Sequence, residues 1–159
     1  MAWTAPRSWV PDEVVTADVM NVHVRDNLKA IGDAWTSYTP TLSQGASTNI
    51  TKTVNYAKYV AAGKLITVSV KVSATAAGTA GSAIRVSLPV TAATSNIVAG
   101  SGRYDDGATL YAALAVIGTT TTIELNRTDA TFTGSIGADP NIAVASGDVF
   151  FASFTYEAA

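Results

Sequence analysis

The sequence predicts a mainly β fold, an antiparallel β-sandwich of jelly-roll type preceded by an N-terminal arm and one short α-helix. Three observations carry this reading. Lys64–Ala74 alternates Ile66, Val68, Val70, Val72 and Ala74 with Thr67, Ser69, Lys71 and Ser73, the period of a strand with one solvated face. Short strand-like runs punctuated by Gly and Pro, roughly eight of them, fill the chain after the first helical stretch. That stretch, residues 17–31, is the only one with helical spacing. The expected organisation is residues 1–36 as arm and helix and residues 37–159 as the β domain.

Residues 1–15 hold Trp3 and Trp9, Pro6 and Pro11, and no clear period, and read as an extended arm. Its Trp side chains either pack on the chain's own domain or anchor in a partner, where Trp is favoured. The helix follows. Thr16 is a suitable N-cap, because its hydroxyl can accept from a free N–H of the first turn. Asp18 adds a negative charge where the helix dipole favours one. Gly32 is a natural stop. Met20, Val24, Asn27, Leu28 and Ile31 recur at three-to-four spacing, and Val15, Val19 and Val22 form a second apolar flank. Two readings stay open: a helix packed on its own domain, or a short parallel trimer seam with Asn27 setting the register.

Trp35–Leu42 is the first strand, with Pro40 confining it to an edge. Gln44–Asn49 is a polar loop. Thr53–Val60 is a strand, Gly63 turns the chain, and Lys64–Ala74 returns. Ala83–Leu88 points Ile84, Val86 and Leu88 inward and stops at Pro89. Ile97–Tyr104 contains Gly100 and Gly102, the mark of a bulge or a close approach. Asp105-Asp106-Gly107 is a turn. Thr109–Ile117 and Thr120–Asn126 form a hairpin about Gly118-Thr119. Thr131–Ser135 is a weak candidate, and Asp139-Pro140-Asn141 breaks the chain. The final strand, Val149–Tyr156, has Phe150, Phe154 and Tyr156 on alternate sites.

Composition excludes several functions. The formal net charge is -2 and only 14% of residues are charged, so no basic footprint for nucleic acid is present. There is no Cys, which removes disulfides and thiolate metal sites. No secretory signal is visible, and no apolar run is long enough to span a bilayer. So little charge on an Ala- and Val-rich chain points to extensive subunit contact.

Candidate chemistry is thin. The single histidine, His23, lies on the helix with no evident nucleophile beside it. Asp105 and Asp106 lack the spacing of a calcium loop. Gly100-Ser101-Gly102 precedes no helix and is not a phosphate loop. Asn49-Ile50-Thr51 and Asn126-Arg127-Thr128 match the glycosylation pattern and carry no weight without a secretory signal. No catalytic, cofactor-binding or metal-binding residue is assigned, and no cofactor is expected.

Two parts of the chain resemble a known group. Trp9-Val10-Pro11-Asp12-Glu13-Val14-Val15-Thr16-Ala17-Asp18-Val19-Met20-Asn21, continued by Arg25-Asp26-Asn27-Leu28, resembles a pattern near the start of small virion proteins of tailed bacteriophages, especially those of actinobacteria. Asp12 departs from it, since the pattern has Gly there. Trp35–Leu42, Tyr56–Val68 and Val86-Ser87-Leu88-Pro89 are similar to β domains of phage tail, fibre and head-appendage proteins, which carry Tyr-x-x-x-Gly-x-x-Val and Ser-Leu-Pro in this order; Ile66 stands at the Val position here. The matches touch about half the chain. The resemblance implies a homotrimer whose work is assembly or host-surface contact, located in the virion, with other virion proteins as partners.

The expected function is therefore a non-enzymatic virion structural or accessory protein. Trp3, Trp9, Val10, Val14 and Val15 are the expected attachment residues. Met20, Val24, Asn27, Leu28 and Ile31 are the expected trimer seam. The alternative is a receptor-binding protein whose β domain contacts host cell-surface carbohydrate. Neither nucleic acid nor membrane insertion is expected.

Overall fold

A computed structural model describes residues 4–5, 7–31, 35–127 and 134–159. The fold is mainly β. Among the described residues there are nine strands: β1 (Thr36–Ser37), β2 (Leu42–Gln44), β3 (Lys52–Ala62), β4 (Leu65–Ala74), β5 (Ile84–Ser87), β6 (Ile97–Asp105), β7 (Leu110–Thr119), β8 (Thr122–Asn126) and β9 (Val149–Glu157). All pair antiparallel in one continuous sheet, in the order β1-β3-β4-β9-β6-β7-β8-β5-β2. The expected Thr131–Ser135 strand lies mostly outside the described residues. Ser135 forms an isolated bridge with Asn126.

The stretch read as one edge strand, Trp35–Leu42, is split. Its first part pairs with β3 at one end of the sheet and its second with β5 at the other. This forces the sheet to curl. A flat sheet of nine strands would hold its edges roughly 38 Å apart at the usual strand spacing. The link from Ser37 to Leu42 reaches at most about 18 Å. The seam is drawn together by Tyr38 N–H donating to Ala57 O (3.1 Å) and Ile50 N–H donating to Leu42 O (2.7 Å). Pro40 falls in the crossing, where its missing N–H leaves no ladder bond unmade. The sheet's two edge strands, β1 and β2, thus lie in one stretch of chain.

The core lies on the inner face of the curl. Ile66, Val68, Val70 and Val72 of β4 are fully buried, as their alternation predicts. So are Phe150, Ala152, Phe154 and Tyr156 of β9, Ile84 and Val86 of β5, and Ile123 and Leu125 of β8. Inner rows mix large and small side chains. Phe154 lies between Val68 and Gly100, and Ala152 between Val70 and Gly102. The two glycines are sites of close approach. A Cβ on Gly100 would stand 2.3 Å from Ser153 O, and one on Gly102 would stand 2.5 Å from Leu125 Cδ2. The expected bulge is present between Val98 and Gly100.

The turns follow local chemistry. Gly63, at φ 62, is the first residue of the two-residue connection between β3 and β4. Asp105 Oδ1 accepts from Gly107 N–H, and Asp106 Oδ1 accepts from Ala108 and Thr109 N–H. These carboxylates close their own turn, as Asp side chains do. One expectation is corrected. Gln44, placed in a polar loop by the sequence, is buried and ends β2. Its Nε2 donates to Ile142 O (2.6 Å) and Ser82 O (3.2 Å), and its Oε1 accepts from Val144 N–H (2.9 Å).

Candidate attachment and self-association surface

The helix spans the expected residues but not as one uniform α-helix. α1 (Ala17–Met20) runs into a π turn, Asn21–Arg25, and then α2 (Asp26–Ile31). Asp26 N–H reaches back to Asn21 O, the wide bonding pattern of a π turn. Thr16 is the N-cap, its side chain accepting from Val19 N–H at 3.4 Å, and Asp18 lies in the first turn. The expected stop at Gly32 lies outside the described residues. α2 is the helical segment that approaches the sheet, at β3.

Ahead of the helix, Val10-Pro11-Asp12-Glu13 forms a turn in which Glu13 N–H donates to Val10 O (3.2 Å). Asp12 sits at φ 63, a left-handed position where Gly is the default and Asp is among the residues that tolerate it. This is the position at which the chain departs from Gly in the virion-protein pattern. The Glu13 carboxylate pairs with Arg7, whose guanidinium lies 5.2 Å from the centre of the Trp9 ring. The arm is therefore folded locally around Arg7, Trp9 and Glu13.

Asn27 joins the arm to the helix. It is buried, at 6% exposure. Its Oδ1 accepts from Thr4 N–H (3.0 Å), and its Nδ2 donates to Thr4 O (2.9 Å) and His23 O (3.2 Å). One carboxamide thus holds both backbone groups of an arm residue, as a neighbouring strand would. Next to it, Arg25 donates to Asp26 Oδ1 (2.8 Å), and that bond holds the Asp26 carboxyl below the usual range. His23 Nδ1 is buried without a hydrogen-bond partner among the described residues.

The apolar residues singled out in the sequence are largely uncovered. Trp9, Val10, Val14 and Val15 of the arm are exposed, Val14 at 83%. Met20, Val24 and Leu28 of the helix are exposed, Leu28 at 64%, as is Val22. Trp3 and the side chain of Ile31 lie outside the described residues. Among the described seam side chains Asn27 alone is buried, committed to the arm. Sequence reading did not pair Asn27 with Thr4. A polar residue within an apolar stripe marks a buried hydrogen-bonding role without naming the partner.

Two buried carboxylates have structural partners. Tyr104 Oη donates to the buried Asp148 Oδ2 (2.5 Å), which also accepts from Ala145 N–H (2.8 Å). Glu124 accepts from Arg85 Nε (3.0 Å) and Ser135 Oγ (2.8 Å). Among the described residues no group of three or more His, Asp or Glu side chains gathers to hold a metal ion, and no helix is long and apolar enough to cross a membrane. Comparison of the chain with protein-family models, with curated proteins and with solved structures found no match.

Proposed function

We propose that this chain is a non-enzymatic structural or accessory protein of a bacteriophage virion, a homotrimeric tail, fibre or capsid appendage held to the particle by its N-terminal arm. The observation that carries the reading is the uncovered apolar set on one short segment: Trp9, Val10, Val14 and Val15, followed by Met20, Val24 and Leu28. Such concentrated exposure marks an interaction site. Covering one of these side chains stabilises by roughly 1.5–3 kcal/mol. Three arms on one trimer bind together, which multiplies the hold. In this reading Met20, Val24 and Leu28 carry the trimer seam, and Asn27 orients the arm. The curled sheet flattens into the two facing layers of a sandwich, and the protein resides in the virion.

The test deletes residues 1–15. Residues 16–159 are expected to melt cooperatively and to fail to join the particle. Normal incorporation would move the attachment surface to the β domain. Sedimentation showing a stable monomer at micromolar concentration would remove the trimer.

A second reading, contact of the β domain with host cell-surface carbohydrate, is supported by the aromatic and cationic side chains on the outer face of the sheet. Phe151 lies between Lys71 and Arg103 there, and Tyr56 lies opposite Lys71.

A further inference from the structure

We propose that the outer face of β3, β4, β9 and β6 is a binding platform for a linear anionic polysaccharide. This rests on the second reading above, names its ligand class, and does not depend on attachment through the arm.

Strand register places the residues. Tyr56 of β3 stands opposite Lys71 of β4, Lys71 opposite Phe151 of β9, and Phe151 opposite Arg103 of β6. Directly opposed residues share a face, so these four form one row across the sheet. The row is on the outside, because Val70, Val72, Ala152 and Tyr104, which alternate with it, are buried in the core. The adjacent row is Lys58, Ser69, Ser153 and Ser101. Three cations and two aromatic rings thus lie in two rows that otherwise hold only serine. Tyr56 and Arg103 are exposed, and Lys58, Lys71 and Phe151 are partly so.

Charge selects the partner. Neither row contains an acidic residue. The carboxylates on the same face lie at its ends: Asp105, with Oδ1 turned to Gly107 N–H, and Glu157, opposite Leu65. On a chain of net charge -2, this face is a local positive patch. The cations lie close to the rings, with Lys58 Nζ 5.5 Å from the Tyr56 ring centre and Arg103 Cζ 5.9 Å from that of Phe151.

Spacing fits a sugar chain. Tyr56 and Phe151 are two strands apart, roughly 9–10 Å at the usual spacing, a separation that two consecutive sugar rings span. Each ring offers an apolar face to a pyranose. Lys58, Lys71 and Arg103 stand beside them to take carboxylate or phosphate substituents. The serines between supply hydroxyls for hydrogen bonds without steric obstruction.

The experiment uses the full chain and measures retention on immobilised polygalacturonate, phosphorylated mannan, neutral dextran and single-stranded oligothymidylate at low and high salt. Binding to polygalacturonate or to phosphomannan, weakened by salt, is expected, and the stronger of the two identifies the anionic group. Lys71→Glu with Arg103→Glu should weaken binding about tenfold or more at low salt. Phe151→Ala should weaken it independently, and Lys71→Arg should retain it. The Lys71→Gln, Arg103→Gln pair gives the same comparison if charge reversal impairs folding. Equal binding to dextran would overturn the anionic specificity and leave carbohydrate contact standing. Preference for the oligonucleotide would overturn both, as would no retention on any glycan. Binding indifferent to all these substitutions would overturn the site.

Discussion

Tyr104 on β6 donates its phenolic proton to Asp148, the residue just before β9, across 2.5 Å in the core. The bond joins the turn that launches the C-terminal strand to the strand beside which that turn ends. Asp148 also accepts from Ala145 N–H, so the same carboxylate shapes the turn. Burial, with the Asp148 bond second, pushes the Tyr104 phenol well above its ordinary value. Burial likewise raises Tyr38, and it pushes Tyr156 up to about 12.

These phenols predict loss of stability in alkali. Free tyrosine ionises near pH 10.0. Above that pH the unfolded chain has lost protons that the fold still retains, so stability falls as pH rises. The contribution is complete below about pH 10 and is lost as pH rises through about 12 for Tyr156 and beyond for the other two. Urea unfolding followed from neutral to alkaline pH checks this. Tyr104→Phe should cost about 1.5–3 kcal/mol at neutral pH, the range for a bond to a charged acceptor, and should flatten the alkaline slope. An unchanged slope in Tyr104→Phe would mean that this phenol is not linked to the transition.

Tyr38→Phe should act in the opposite direction. The Tyr38 hydroxyl is buried without a partner among the described residues, while its ring meets Tyr59 edge-on at 6.1 Å between centres. Phe keeps the ring contact and removes the unsatisfied group. A gain of about 1 kcal/mol is expected, seen as a higher melting temperature. A loss of stability would show that the hydroxyl has a partner in solution, such as an ordered water.

Much of the β fold was legible because local pattern and burial agree. β4, β5 and β9 alternate along the chain, and their apolar sets are the buried ones. Thr16 was legible because capping is a local interaction. The split of Trp35–Leu42 was not, because the partners of its two ends, β3 and β5, are set by the closure of the sheet. Gln44 reads as a loop residue by type. Its burial is decided by Ser82, Ile142 and Val144, which are far along the chain. The exposed arm residues of the candidate site were visible as apolar residues without period. The bond between Asn27 and Thr4 joins positions 23 residues apart and leaves no periodic trace.

Gly100 and Gly102 were legible as breaks in a strand, and the structure ranks their substitutions. Gly100→Ala drives a methyl into the carbonyl of Ser153, and Gly102→Ala drives one into Phe151 O and Leu125. Backbone of a central strand cannot yield cheaply, so each should cost about 1–3 kcal/mol or more. Gly118→Ala is the control. The nearest atoms to its added Cβ all belong to the Glu124 side chain, whose movement disturbs the partly exposed pair with Arg85. It should cost less than either. Thermal melts of the three variants test the order, and a Gly118→Ala loss as large as that of Gly100→Ala would contradict it.

The last prediction concerns Asn27, because the arm is held with little margin. Each of its two hydrogen bonds to Thr4 contributes about 0.5–1.5 kcal/mol net. Ordering one backbone residue costs about 1–2 kcal/mol. The carboxamide can therefore offset the ordering of only a few arm residues, with the Arg7–Glu13 pair and the Val10–Glu13 turn adding local support. Asn27→Ala should tip that balance and release Thr4 and residues 7–13 without touching the β core. Limited proteolysis should cut the arm several-fold faster, while the melting of the β domain should change by no more than about 0.5 kcal/mol. Asn27→Asp separates the two halves of the clamp. Its carboxylate still accepts from Thr4 N–H but sets an acceptor against Thr4 O, so its cleavage rate should fall between wild type and Asn27→Ala. An arm cleaved equally slowly in all three proteins would show that the turn around Arg7, Trp9 and Glu13 holds it alone.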